Sequence, residues 1–163
     1  MTDHLDAAKV MAAQCLCFRS RRTARAITRA YDEALRPTGL QATQVTLMNA
    51  VALGPDGAQP MGQLADFLAL EISTLTRNLR ALESAGLLDV GRSETDRRVR
   101  VVRLTETGKT RLAGALAYWK QAHSEILAAL EPDTAASLHA ALDATALAMS
   151  AAEGRTTGQK AKG

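Results

Sequence analysis

Between positions 73 and 80 the chain sets Ser73, Thr74, Thr76, Arg77, Asn78 and Arg80 around Leu75 and Leu79. Hydroxyls, an amide and guanidiniums are the groups that bond phosphate oxygens and base edges. None is a nucleophile with a base at hand, so the stretch reads as a binding surface rather than catalytic machinery. A second set lies downstream, with Asp96 among Arg92, Arg97, Arg98, Arg100 and Arg103. Arginine presents a planar fork of donors suited to phosphate and to guanine edges. His4, His123 and His139 have no metal-ligand spacing. No phosphate loop, nucleophile elbow or supported carboxylate pair is found. The expectation is a non-enzyme with no metal and no cofactor.

The elements around these residues decide what they can reach. Ile72, Leu75, Leu79 and Leu82 recur every three or four positions, which predicts a helix with those side chains inward. Ser73, Arg77 and Arg80 then stack on the opposite face, flanked by Thr74, Thr76 and Asn78. Small hydroxyls at the start of a helix let its N-terminus, with its partial positive charge, come close to phosphate. An ordinary amphipathic helix would share the apolar stripe, and the neighbours separate the two readings. MGQLADFL (61–68) predicts a short helix, broken near Ala69–Glu71, which makes a helix-turn-helix. The second helix should end near Ser84–Ala85, with Gly86 as a left-handed cap. LLDVG (87–91) and RVRVVRL (98–104) read as two strands joined by the polar turn SETD (93–96). Such a wing can offer Arg97 or Arg98 to a narrow minor groove. Asp96 is expected to pair with Arg98 and hold the tip.

On either side lie long helical patterns. One should run from about Ala8 to Leu35, with Leu16, Ser20, Ala24, Ile27, Tyr31 and Leu35 on a stripe, after a frayed start and before Pro37 and Gly39. QATQVTLMNAVAL (41–53) fits a helix with Val45, Met48 and Val51/Ala52 inward, and GPDGAQP (54–60) is turn chemistry. Thr105 is a plausible N-cap for a helix to about Leu130, and a last helix should span about 133–151. The expected fold is therefore mainly α with a two-stranded β-wing, in a single domain. A winged helix-turn-helix lobe (41–104) is expected between long helices (8–36 and 106–151) whose apolar stripes a second copy of the chain would cover in a dimerisation region. The tail from 152 to 163 has little to bury and is expected to be disordered.

Composition agrees. The 163 residues carry a net charge of only +3, and the apolar content is mostly Ala and Leu. Small side chains bury little area each, so a second copy of the chain would help complete the core. No apolar run reaches the ~20 residues of a membrane span and nothing resembles a secretory signal, so a cytoplasmic protein with no membrane partner is expected.

STLTRNLRALESAGLL (73–88), DRR (96–98) and LTETG (104–108) together resemble the multiple-antibiotic-resistance regulator (MarR) family of transcription factors. The resemblance spans about residues 10–150. It implies an obligate homodimer on double-stranded DNA, reading a pseudo-palindrome. Ser73, Thr74, Thr76, Arg77, Asn78 and Arg80 would serve the recognition helix, and Arg92, Asp96, Arg97 and Arg98 the wing. It also implies a small aromatic or phenolic effector, bound between the dimer helices and the DNA lobe, that releases a repressor from its operator. A winged-helix module that docks a protein is the competing reading. Glu71 stands where the family often has Asp, and Ala69 where it often has Gly.

LCF (16–18) and RAIT (25–28) are similar to the organic-hydroperoxide-sensing branch of that family, which places Cys17 at the reactive position and matches Tyr31 to one activating tyrosine. Two other tyrosines of that branch fall on Arg21 and Ala42. Cys17 and Tyr31 would lie about 21 Å apart along one helix and could meet only across a dimer. Cys15 and Cys17 point about 200° apart, which rules out a bond between them on an intact helix. A redox sensor at Cys17 and Tyr31 thus stands against a Cys17 that packs as a small hydrophobe. Tyr118, Trp119 and His123 form a polar-aromatic patch, read either as interface packing or as a ligand contact.

Overall fold

The computed structural model describes the backbone of residues 3–160 and the side chains of residues 3–151. The order of elements is α1 (His4–Gln14), α2 (Leu16–Leu35), α3 (Ala42–Ala52), β1 (Ala58–Pro60), α4 (Met61–Phe67), α5 (Ile72–Ser84), β2 (Leu88–Arg92), β3 (Arg100–Leu104), α6 (Glu106–Ala128) and α7 (Pro132–Lys160). Short 3-10 turns at Arg36–Thr38 and Pro55–Gly57 flank α3.

The single helix expected over 8–35 is two helices. Asp3 caps the first, accepting the Leu5 N–H at 3.4 Å, so residues 4–8 are helical rather than frayed. Cys15 leaves the helical region (φ −70°, ψ 112°) and serves both neighbours: its N–H closes α1 on Met11, and its Sγ accepts the Phe18 N–H at 3.4 Å. The Arg19 guanidinium donates to the Ala13 carbonyl at 2.6 Å, covering one of the orphan carbonyls that end α1. At the other end, α7 continues to Lys160, past the expected stop near 151 and over most of the stretch expected to be disordered. Residues 152–160 hold one alanine and the glycines Gly154 and Gly158, which lower helix propensity without forbidding it, so this end of α7 continues a helix set by the alanine-rich segment before it. Residues 161–163 lie outside the described residues.

The two-stranded wing is present as the hairpin of β2 and β3, and a third strand extends its sheet. β1 pairs antiparallel with the outer edge of β3 (Gln59 opposite Val102), giving the order β1-β3-β2. The turn chemistry read over 54–60 is confined to 54–57, where Asp56 and Gly57 have φ of 54° and 68°. β2 and β3 form the expected hairpin, with Val90 opposite Val102 and Arg92 opposite Arg100. Thr105 caps α6 as expected, accepting the Gly108 N–H at 3.0 Å and donating to the Gly86 carbonyl at 2.7 Å.

The core sits in the lobe. Leu35, Met48, Val51, Leu64, Leu75, Leu79, Leu82 and Val102 are its largest fully buried side chains. α6 crosses α2 through Ala115 and Ala122, both buried. Ile72, expected inward, is outside it, and so is the apolar Phe67. Ile72 begins its helix, and Phe67 ends α4 with its side chain 65% exposed. The helices around the lobe leave many apolar side chains open: Val10, Met11, Leu16, Phe18, Leu142 and Leu147 are all exposed.

Candidate nucleic-acid interface

α4 and α5 meet at a tight turn, in which Ala69 takes a left-handed φ of 50° and the Leu70 N–H returns to the Ala65 carbonyl at 2.9 Å. Leu75, Leu79 and Leu82 fix one face of α5 against the core. The opposite face carries Ser73, Arg77, Asn78 and Arg80 in the open, with Thr74 half-exposed. Among the described residues neither Arg77 nor Arg80 has an ion-pair partner. Thr76 differs from the rest: it is half-buried, and its hydroxyl donates to the Ile72 carbonyl at 2.7 Å. Glu71 occupies the N-cap position with no side-chain hydrogen bond, which leaves the first N–H groups of α5 without a side-chain acceptor.

The wing tip is held from inside. Asp96 accepts from Arg98 three times: from its backbone N–H at 2.9 Å, and from Nε and a terminal nitrogen at 3.1 Å each. The Arg98 side chain, then its backbone N–H, hold the Asp96 carboxyl below the usual carboxylate range, and the same contact raises the Arg98 guanidinium. Arg92 donates to the Arg97 carbonyl at 3.2 Å, so it braces the tip while Arg97 projects. The Ser93 N–H closes the loop on the Val99 carbonyl at 2.8 Å.

Arg92, Arg97, Arg98 and Arg100 border one groove of about 410 Å³ beside Val90 and Gly91. Arg92 and Arg100 are directly opposite one another in the ladder, and like charges so placed repel. No carboxylate relieves them among the described residues. Arg100 was not in the expected wing set. Its signal was the pairing register, which places it across from Arg92 and, over a small cleft, beside Arg80 of the helix.

A cavity of about 600 Å³ opens where α2, α3 and α6 diverge. Leu35, Val45, Leu112 and Trp119 give it apolar walls, while Tyr31 and Asn49 add polar edges. Sequence reading placed Trp119 in an aromatic patch but gave no cavity, since only α2 and α3 bring the opposite wall. Cys15 is half-buried at the helix break and Cys17 is exposed. Within one chain Cys17 and Tyr31 lie apart on α2, as expected, and the Tyr31 hydroxyl is 3.0 Å from His123 Nδ1. Among the described residues there is no metal-ligand cluster, and no helix is long and apolar enough to cross a membrane.

Residues 38–99, which hold the helix-turn-helix and most of the wing, match the MarR family model. The M. tuberculosis transcriptional regulator MosR, solved in complex with DNA, is 33% identical, aligns over 83% of this chain and 98% of its own, and superposes with a TM-score of 0.70. The chain belongs to the MarR family. It is a DNA-binding transcriptional regulator and not an enzyme. Two more distant members share the fold. E. coli MarR with operator DNA is 20% identical over 88% of this chain and 99% of that one, with a TM-score of 0.73. CouR from Rhodococcus jostii RHA1 bound to p-coumaroyl-CoA is 21% identical over 82% and 93%, with a TM-score of 0.69.

Proposed function

We propose that two copies of this chain form a repressor that reads a pseudo-palindromic operator and leaves it when a small aromatic or phenolic effector fills the cavity. Ser73, Thr74, Arg77, Asn78 and Arg80 enter the major groove, while Thr76, bonded to its own helix, supplies shape. Arg97 and Arg98 follow the backbone or the minor groove, with Arg92 and Asp96 holding the tip. The observation that carries this reading is the row of open guanidiniums running from Arg77 and Arg80 to the opposed Arg92 and Arg100, whose mutual repulsion a phosphate relieves. The exposed apolar side chains on α1, α2 and α7 support the pairing of two chains. In a helix-turn-helix dimer the two recognition helices sit about 34–36 Å apart, one turn of duplex.

Selection of bound duplexes from a random pool, followed by titration at several salt concentrations, tests the reading. Arg77→Ala should relax base preference at one position per half-site, at a cost of about 1–3 kcal/mol there. Arg97→Ala should weaken every duplex alike and reduce the salt slope by about one. A strictly monomeric protein, or one that ignores duplexes at low ionic strength and binds a protein independently of salt, overturns it. A thiol signal is the second reading, supported by the exposure of Cys17 in the first turn of α2. Peroxide-induced release from DNA that persists in Cys17→Ser removes that reading.

A further inference from the structure

Tyr31 lines the cavity, and its hydroxyl lies 3.0 Å from His123 Nδ1. His123 lies flat on Trp119, with ring centroids 4.8 Å apart and planes 10° from parallel, and Trp119 also lines the cavity. Tyr31 stacks on the same indole at 6.2 Å and 16°. Three rings from two helices are thus nearly parallel, and one hydrogen bond ties Tyr31 to His123. His139 of α7 stands beside His123, centroid to centroid 6.4 Å, and is exposed. One charged side chain lines the cavity wall, Lys109, which donates to Glu106 at 2.7 Å. Burial pushes the Tyr31 phenol above its usual value, so it keeps its proton through neutral pH.

A phenol has one proton to give. With the His123 ring proton on Nε2, Nδ1 is an acceptor and the Tyr31 proton points at it. A ligand that reaches the Tyr31 oxygen from the cavity then meets a lone pair. Resting on the reading that this cavity takes the effector, we propose that His123 is a positioning residue that fixes Tyr31 as an acceptor, so that the site selects aromatic ligands bearing a neutral hydroxyl over aromatic carboxylates. Trp119 supplies the flat wall and the Tyr31 oxygen the polar check. Lys109 is paired with Glu106, so an anion drawn to it has to displace that contact. Were Nδ1 protonated instead, Tyr31 would accept from it, and its own proton would be free for a carboxylate.

The test uses the full-length protein without DNA, at pH 8, above the range in which histidines usually change charge. Phenol, anisole and benzoate serve as probes. Trp119 is the only tryptophan, so its fluorescence reports on this wall alone. Phenol should bind about fivefold more tightly than anisole, the size of one neutral hydrogen bond. Tyr31→Phe should bring that ratio to about one. His123→Leu frees the Tyr31 proton and should raise benzoate about fivefold relative to phenol. His123→Gln, whose amide oxygen can accept the same bond, should keep the wild-type order, as should His139→Gln. Equal affinity for phenol and anisole in the wild type overturns the proposal. So does a His123→Leu protein that loses all three probes in proportion, which is the mark of a purely structural role, or an absence of binding by any probe. Circular dichroism checks that His123→Leu is folded, and if it is not, the Tyr31→Phe ratio decides. In a separate titration with the selected duplex added, DNA that stays bound while the probes keep their order counts against effector release and leaves the role of His123 standing.

Discussion

α4 and α5 end in the same way with different residues, which makes one a control for the other. After α4, Ala69 has φ 50° and the Leu70 N–H returns to the Ala65 carbonyl at 2.9 Å. After α5, Gly86 has φ 68° and the Leu87 N–H returns to the Leu82 carbonyl, also at 2.9 Å. A Cβ built on Gly86 would meet nothing within 4 Å, so Gly86→Ala changes backbone preference and no packing. An L-residue in the left-handed region is strained by roughly 1–2 kcal/mol. Against that, alanine loses less freedom than glycine on folding, by about 0.4–1 kcal/mol. The difference leaves a net of about 1 kcal/mol in favour of glycine at both sites. Gly86→Ala should therefore destabilise by that amount and Ala69→Gly should stabilise by it. For a chain of this size each change moves the melting temperature by about 2–4 °C. Urea or thermal unfolding at one fixed protein concentration reads both, since a dimer's stability depends on concentration. Ala69→Gly lowering stability, or Gly86→Ala leaving it unchanged, would refute the account of both turns.

Three further outcomes follow from the same geometry. Glu71 caps α5 with its backbone only, so Glu71→Asp, which brings a shorter carboxylate to the free N–H groups, should add about 0.5–1 kcal/mol in the same unfolding assay. Asp96 has a depressed carboxyl, so its contribution to the wing is complete above the ordinary carboxylate range and is lost as pH falls through the lowered value. An NMR titration should place its midpoint below that range, and Arg98→Ala should return it upward. A Cβ on Gly108 would lie 2.0 Å from the Leu87 carbonyl oxygen, so Gly108→Ala should force β2 and α6 apart, costing about 2 kcal/mol or more and broadening wing resonances.

Much of the candidate interface was legible because its residues obey local rules. The 3–4 spacing of Leu75, Leu79 and Leu82 fixed which side of α5 is open, and Gly86 and Thr105 marked element ends by their own chemistry. Asp96 and Arg98, two positions apart at a loop tip, were close enough for their pairing to follow from sequence. The rest depended on partners distant in the chain. β1 is three residues ending in proline, with no alternation to read, and exists because the outer edge of β3 is unpaired without it. The break at Cys15 is accompanied by Arg19 reaching back six positions to Ala13, a contact outside helix periodicity. Ile72 fits the apolar stripe of α5, but its first-turn position lies beyond the edge of the core. Tyr31 and His123 are 92 positions apart, and only the crossing of α2 and α6 on small Ala115 and Ala122 brings the phenol to the imidazole.

The cavity walls come from two sets of elements. Tyr31, Leu35, Leu112 and Trp119 come from the long helices, while Val45, Asn49 and Leu104 come from the lobe. Two polar ties cross near the seam: Asp32 accepts the Ala42 N–H at 2.7 Å, and Arg111 donates to the Thr38 carbonyl at 2.7 Å. A ligand touching both walls moves the lobe only as far as it binds one arrangement better than the other. Turning a population from about 99:1 to 1:99 takes roughly a 10⁴-fold preference. In the proposed dimer two cavities share that burden, so about 100-fold at each suffices, or roughly 2.7 kcal/mol per site. One hydrogen bond at Tyr31 supplies only about 1 kcal/mol of this. The remainder has to come from apolar contact that is made in one lobe position and lost in the other, which assigns ligand choice to Tyr31 with His123, and the work of displacement to the leucines, Val45 and Trp119.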